Sequence, residues 1–207
     1  VTLIKEPSYS KNVTVKRIIS HRIFANGVIK HLKELKEKPD VIYLFVPPTG
    51  LAKKVVDFAN KNNIKVIIDV LDLWPEAFEM VLPMSLSKLL LPMKKDVEFA
   101  YKNADKIVAV SKGYAKKVAS VNKKSSEGTA VYIGTDLSVF DKNAENAPKL
   151  EGKLRPITMA YIGMLGKSYD LLSVMQAMKE LKESGHDIVE FLVMGNGPMQ
   201  QQFADYA

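Results

Sequence analysis

The sequence has no cysteine, which removes disulfides, thiolate metal sites and cysteine nucleophiles together. Histidine is nearly as scarce. His21, His31 and His186 lie far apart, with no H-x-x-H or H-x-E spacing from which a zinc site could be built. No stretch approaches the roughly 18 consecutive apolar residues of a membrane span. Aromatic residues make up only 8% and do not interleave with basic ones, so nucleic acid is not an expected partner. The lack of cysteine suits a reducing, cytoplasmic compartment.

What is present is ordinary globular material. The chain has 207 residues, of which 47% are hydrophobic, and the apolar residues come in blocks, as a packed core requires. Its formal charge is +7, an excess that favours anionic partners such as nucleic acid, phosphorylated substrates or an anionic membrane face. Much of that charge sits in mixed-charge helical patterns, where a solvated surface explains it equally well.

The blocks alternate between two periods. Runs at 41–46 (VIYLFV), 64–70 (IKVIIDV), 106–110 (KIVAV) and 129–133 (TAVYI) read as strands. Being apolar at nearly every position, they predict parallel strands covered by helices on both faces. Between them, 15–38, 51–62, 85–103 and 111–121 are helix-compatible, so βαβ crossovers and a doubly wound sheet are expected. Pro47-Pro48-Thr49-Gly50 follows the first run, at the strand edge where open α/β sheets bind ligands. From Gly134 to Pro156 the composition turns polar and loses its period, which reads as a passage between domains. The alternation then resumes, with strands at 157–162 and 188–194 and helices at 171–184 and 199–207. The expected division is a Rossmann-like domain over 1–145 and the beginning of a second over 146–207. Since the chain opens on Val1-Thr2-Leu3-Ile4-Lys5, already inside what reads as a strand, and the second domain has only two strands, the sequence is expected to be an internal piece of a longer protein.

Three segments carry polar chemistry. Asp69-Val70-Leu71-Asp72-Leu73-Trp74-Pro75-Glu76 leaves the second strand and sets carboxylates beside the sole tryptophan. Asp72 and Glu76 there could accept a proton from a hydroxyl or orient a sugar. Alternatively, Asp72 caps a helix with Pro75 in its first turn. Tyr161-Ile162-Gly163-Met164-Leu165-Gly166-Lys167-Ser168 runs from a strand through a glycine loop to a lysine before a helix. Close backbone approach at Gly163 and Gly166, the helix start and the Lys167 ammonium form a candidate diphosphate cradle, with a plain βα turn as the alternative. Gly195-Asn196-Gly197-Pro198 repeats the strand–turn–helix step, and an ordinary tight turn accounts for it as well.

In this order the segments resemble the family 4 glycosyltransferases of GT-B fold, above all the bacterial polysaccharide and amino-sugar transferases with a D-L-W-P-E segment. Residues 72–76 match that segment, and Ala109-Val110-Ser111-Lys112-Gly113-Tyr114 is similar to the family's AVS-x-GY step. Tyr132-Ile133-Gly134-Thr135-Asp136-Leu137 with Phe140 resembles NG-(V/T)-D-x-x-x-F. Tyr161 to Lys167 resembles YAG-x-LGK, and Gly195 to Pro198 resembles G-(D/N)-GP.

The resemblance implies a retaining, metal-independent enzyme with no cofactor beyond its nucleotide-diphosphate sugar donor. The first domain would bind a lipid-linked or glycan acceptor and the second the donor, with catalysis in the cleft. Gly163, Gly166 and Lys167 would face the donor diphosphate, Gly195 and Gly197 would shape the nucleotide pocket, and Asp72 and Glu76 would stand on the acceptor side. The sequence departs from the family where Leu71 replaces a histidine and Met164 an arginine. The family's E-x7-E segment is not within these residues, so the piece alone is expected to be inactive. The same architecture admits a nucleotide-sugar epimerase, and the net charge admits a basic nucleic-acid-binding module. Lipid-linked acceptors imply peripheral contact with the inner face of a membrane. Lys16, Arg17, Arg22, Lys30, Lys33, Lys36 and Lys38, with the apolar stretch 80–95, suit that contact. A core-packed helix with a solvated back, interrupted by Pro83 and Pro92, suits them too.

Overall fold

The computed structural model describes residues 1–9, 14–76, 91–145, 157–186 and 189–207. The chain divides into two compact units, Val1–Thr135 and Asp136–Ala207.

The first unit holds helix α1 (Val15–Glu34), strand β1 (Val41–Val46), helix α2 (Thr49–Lys61), strand β2 (Lys65–Val70), helix α3 (Leu91–Asn103), strand β3 (Lys106–Ala109), helix α4 (Lys112–Ala119) and strand β4 (Thr129–Ala130). The strands form one parallel sheet in the order β1-β2-β3-β4. Strand–helix–strand alternation with parallel pairing is compatible with a Rossmann-like fold. Residues Val1 to Tyr9 belong to no strand, against the expectation that the chain opens inside one.

The expected double winding is not found among the described residues. The strand order runs in one direction without a reversal, and crossovers of one hand then lay successive helices on the same side of the sheet. The burial pattern agrees. Leu44, Val46, Val66, Ile68, Val70, Ile107 and Ala109 are buried against Leu51, Val55, Val56, Val97, Ala100 and Val118 of the helices. The alternate positions point the other way: Val41, Tyr43 and Phe45 are exposed, and Ile67, Asp69 and Val108 are half-exposed. Phe45, Asp69 and Val108 line up across the strands, as do Tyr43 and Ile67. On that open face the Tyr43 hydroxyl donates to Asp69 Oδ2 at 2.7 Å, and the Tyr43 and Phe45 rings meet edge-on at 5.5 Å.

Local signals explain most boundaries. Thr14 accepts the Arg17 N–H and starts α1, and Ser111 accepts the Tyr114 N–H and starts α4. Helix α2 buries Leu51, Ala52, Val55, Val56, Phe58 and Ala59, the one-sided spacing that seats a helix on a sheet. Asp105 takes the Val66 N–H at 3.0 Å and lies 3.4 Å from both Lys65 and Lys124, tying the entrances of β2 and β3 together.

The second unit holds helix α5 (Leu137–Glu145), strand β5 (Ile157–Ile162), helix α6 (Leu171–Glu183), strand β6 (Val189–Met194) and helix α7 (Gln200–Tyr206). Strands β5 and β6 pair in parallel along their full length. Its buried apolar core is small: Leu165, Leu171 and Phe203, with Tyr161, Phe191 and Val193 packed against them. Helix α5 occupies part of the stretch read as a passage between domains. Asp136 begins it by accepting the Ser138 N–H at 3.0 Å and the Ser138 hydroxyl at 2.6 Å. Helix α6 ends on Gly185 at φ +86°, with His186 N–H bonded to Leu181 O and Gly185 N–H to Lys182 O. That closing pair needs a left-handed residue at the glycine position.

Candidate functional site

In the first unit, the residues after β2 gather at the carboxyl end of the sheet. Leu71 N–H bonds Val46 O and holds the turn against β1. Among the described residues no helix starts at Leu73, the position that Asp72 would cap. Asp72 Oδ2 accepts the Trp74 indole N–H at 3.1 Å. The Arg17 guanidinium lies 4.9 Å from the Trp74 ring centre and 5.5 Å from that of Tyr9, so α1 contributes a cation within attractive reach of two aromatic rings. Tyr9 in turn meets His21 edge-on at 5.9 Å. Partial burial, with the Arg17 charge, keeps His21 below the ordinary imidazole range, against an opposing pull from Glu6.

Glu76 sits in the same unit with its Oε1 3.0 Å from Lys117 Nζ on α4. Burial pushes its carboxyl upward, but the Lys117 hydrogen bond and charge, a backbone N–H and Lys94 hold it below the usual range, so Glu76 is ionised at neutral pH. Beside it, on α3, lies the almost fully buried hydroxyl of Tyr101. Burial first, then the Glu76 and Asp72 charges and Tyr114, hold this phenol well above its ordinary value.

In the second unit, the two glycine segments are brought together at the carboxyl ends of β5 and β6. Gly163 N–H donates to Met194 O, Leu165 N–H to Asn196 O, and Met199 N–H to Leu165 O, each at 3.0 Å. A Cβ on Gly195 would overlap the Gly163 carbonyl oxygen, and one on Gly197 would overlap the Leu165 carbonyl. These two glycines are therefore required by the contact between the loops, whatever else they face. At Gly163 an added Cβ would come within 2.9 Å of the Tyr161 hydroxyl, whereas at Gly166 its nearest neighbour would be Met164 Sδ at 3.7 Å, ordinary contact.

Lys167 stands exposed at the tip of this loop. Its ammonium makes no ion pair among the described residues, and its N–H and that of Ser168 have no acceptor among them. The helix start expected to add positive charge is already occupied. Asp170 caps α6, accepting the Ser173 N–H at 3.2 Å and hydroxyl at 2.6 Å, and those bonds hold its carboxyl below the usual range. What is left for an anion is the Lys167 side chain and loop amides, not the dipole of α6.

Asp72 and Glu76 thus belong to one local cluster, and Gly163, Gly166, Lys167, Gly195 and Gly197 to another. The sequence reading missed Arg17 as the cation near the Trp74 ring, Lys117 as the counter-ion of Glu76, and Tyr101. For Tyr101 a signal existed: a hydroxyl in helical register with the buried Val97 and Ala100. Among the described residues no group of three or more His, Asp or Glu side chains could hold a metal ion, and no helix is long and apolar enough to cross a membrane. Compared with known proteins, the chain matches no family model, and no curated protein matches it at significant similarity.

Proposed function

We propose that the chain is part of a GT-B-type glycosyltransferase, which moves a hexose or amino sugar from a nucleotide-diphosphate donor to a lipid-linked or glycan acceptor. The observation that carries the reading is the Lys167 loop: an exposed ammonium and two N–H groups with no acceptor among the described residues, beside a glycine contact at the carboxyl ends of two parallel strands. Such an arrangement stabilises a departing pyrophosphate by charge and positioning, with no covalent step on the protein. The ordered resemblance of the DLWPE, AVS-x-GY, LGK and GNGP segments supports the same reading. In it, Asp72 and Glu76 serve the acceptor, the donor sugar nucleotide needs no metal, and the basic surface meets a membrane from its cytoplasmic side.

Thermal unfolding tests this. Uridine or guanosine diphosphate is expected to raise the melting temperature in proportion to the logarithm of its concentration, while the parent nucleosides do not. Equal protection by nucleoside and diphosphate, or none by either, removes the donor reading.

A further inference from the structure

Two buried polar atoms, the Tyr101 hydroxyl and Glu76 Oε2, have no hydrogen-bond partner among the described residues. Tyr101 is 5% exposed. Glu76 Oε2 has no partner among them although its sister oxygen takes the Lys117 ammonium at 3.0 Å. Leaving a buried hydroxyl unbonded costs about 1–3 kcal/mol, and phenylalanine would occupy the same space without that cost. A side chain that lowers stability in this way is characteristic of a binding site awaiting its ligand.

The two atoms specify what they can receive. The phenol stays protonated, so it can donate; the ionised Glu76 can only accept. An alcohol hydroxyl satisfies both, accepting from Tyr101 and donating to Glu76 Oε2. A phosphate would bring its negative charge against the Glu76 and Asp72 carboxylates. A ligand ammonium would compete with Lys117, which already balances Glu76. Trp74, hydrogen-bonded to Asp72 and carrying Arg17 over its ring, brings to the same cluster an aromatic side chain of the kind against which sugar rings pack.

We propose that Tyr101 and Glu76 bind a hydroxyl group of a neutral sugar in the first unit, with Tyr101 as donor and Glu76 Oε2 as acceptor. This rests on the glycosyltransferase reading and narrows it, since it makes the acceptor a sugar that the first unit recognises through a hydroxyl group.

Trp74 is the only tryptophan, so its fluorescence reports this cluster alone. Titration of the full chain with methyl α-D-glucopyranoside or N-acetylglucosamine is expected to give a saturable change, and inorganic phosphate none. Tyr101→Phe is expected to weaken sugar binding at least fivefold while melting at the same temperature as the parent or higher. Glu76→Gln is expected to weaken it comparably. The proposal is overturned by a silent Trp74 with both sugars, by unchanged affinity in Tyr101→Phe, or by a lower melting temperature in that variant. Protection by uridine or guanosine diphosphate, measured on the same samples, separates the two ideas. Protection with a silent Trp74 sinks this site and leaves the transferase reading standing. A sugar response through Tyr101 without protection does the reverse.

Discussion

Gly195 lies so close to Gly163 that its missing side chain has no room: a Cβ built there overlaps the Gly163 carbonyl oxygen. The two glycine segments of the second unit are therefore held together by backbone contact before any ligand is considered. Gly195→Ala and Gly197→Ala are each expected to destabilise the protein by about 1–3 kcal/mol, the usual cost of overpacking, through a lower denaturant midpoint. Gly166→Ala, with 3.7 Å of clearance, should change stability by less than about 1 kcal/mol. Equal effects at all three positions would show that the loops do not meet as described.

The first unit's sheet predicts a sharp asymmetry between neighbouring residues. Ile68 is fully buried against the helices, while Phe45 is 54% exposed on the opposite face. Ile68→Ala should cost about 2–5 kcal/mol, as a cavity in a packed core does. Phe45→Ser should stay within roughly 0.5 kcal/mol, as a surface change. Denaturant unfolding followed by circular dichroism distinguishes them, and a large loss at Phe45 would mean that face is covered.

Much of this was legible in the sequence, and the misses have physical causes. The strands at 41–46 and 157–162 have the bounds that their apolar runs predict, and Gly185 stops α6 as glycine stops do. The one-sided sheet was not legible, because residues such as Tyr43 and Phe45 are apolar whether a helix covers them or not. Helix α5 was hidden by its polar composition, although Asp136 ahead of Ser138 and Val139 is a normal capping signal. At the candidate sites the sequence shows Asp72, Glu76 and Lys167, but pairings such as Arg17 with Trp74 or Lys117 with Glu76 span 57 and 41 positions respectively, beyond any local pattern.

Asp105 and His21 both link stability to pH. Although burial pushes Asp105 upward, the Val66 N–H and the charges of Lys124 and Lys65 hold it below its ordinary value. Its contribution is therefore present above the unfolded carboxylate value, near pH 4, and is lost as pH falls through the lower folded value. Asp105→Ala should cost about 1–3 kcal/mol at pH 7, and the gap from the parent should close in acid. His21 is also held below its ordinary value, by burial and Arg17, and binds its proton more readily when unfolded. Its effect leaves stability full above about pH 6.5 and declining as pH drops through the folded value. His21→Gln should flatten the fall in melting temperature between pH 7.5 and 5.5; an unchanged fall would contradict the assignment.

The measurement closest to the central claim is a calorimetric titration of uridine and guanosine diphosphate into the parent chain, Lys167→Arg and Lys167→Ala. The account predicts saturable binding by the parent, near-parental affinity in the arginine variant, and a loss of about tenfold or more in the alanine variant, corresponding to ~1.4 kcal/mol. All three should melt alike, because the Lys167 ammonium holds no ion pair among the described residues. Binding that is indifferent to the charge at position 167, or absent from the parent, would contradict it.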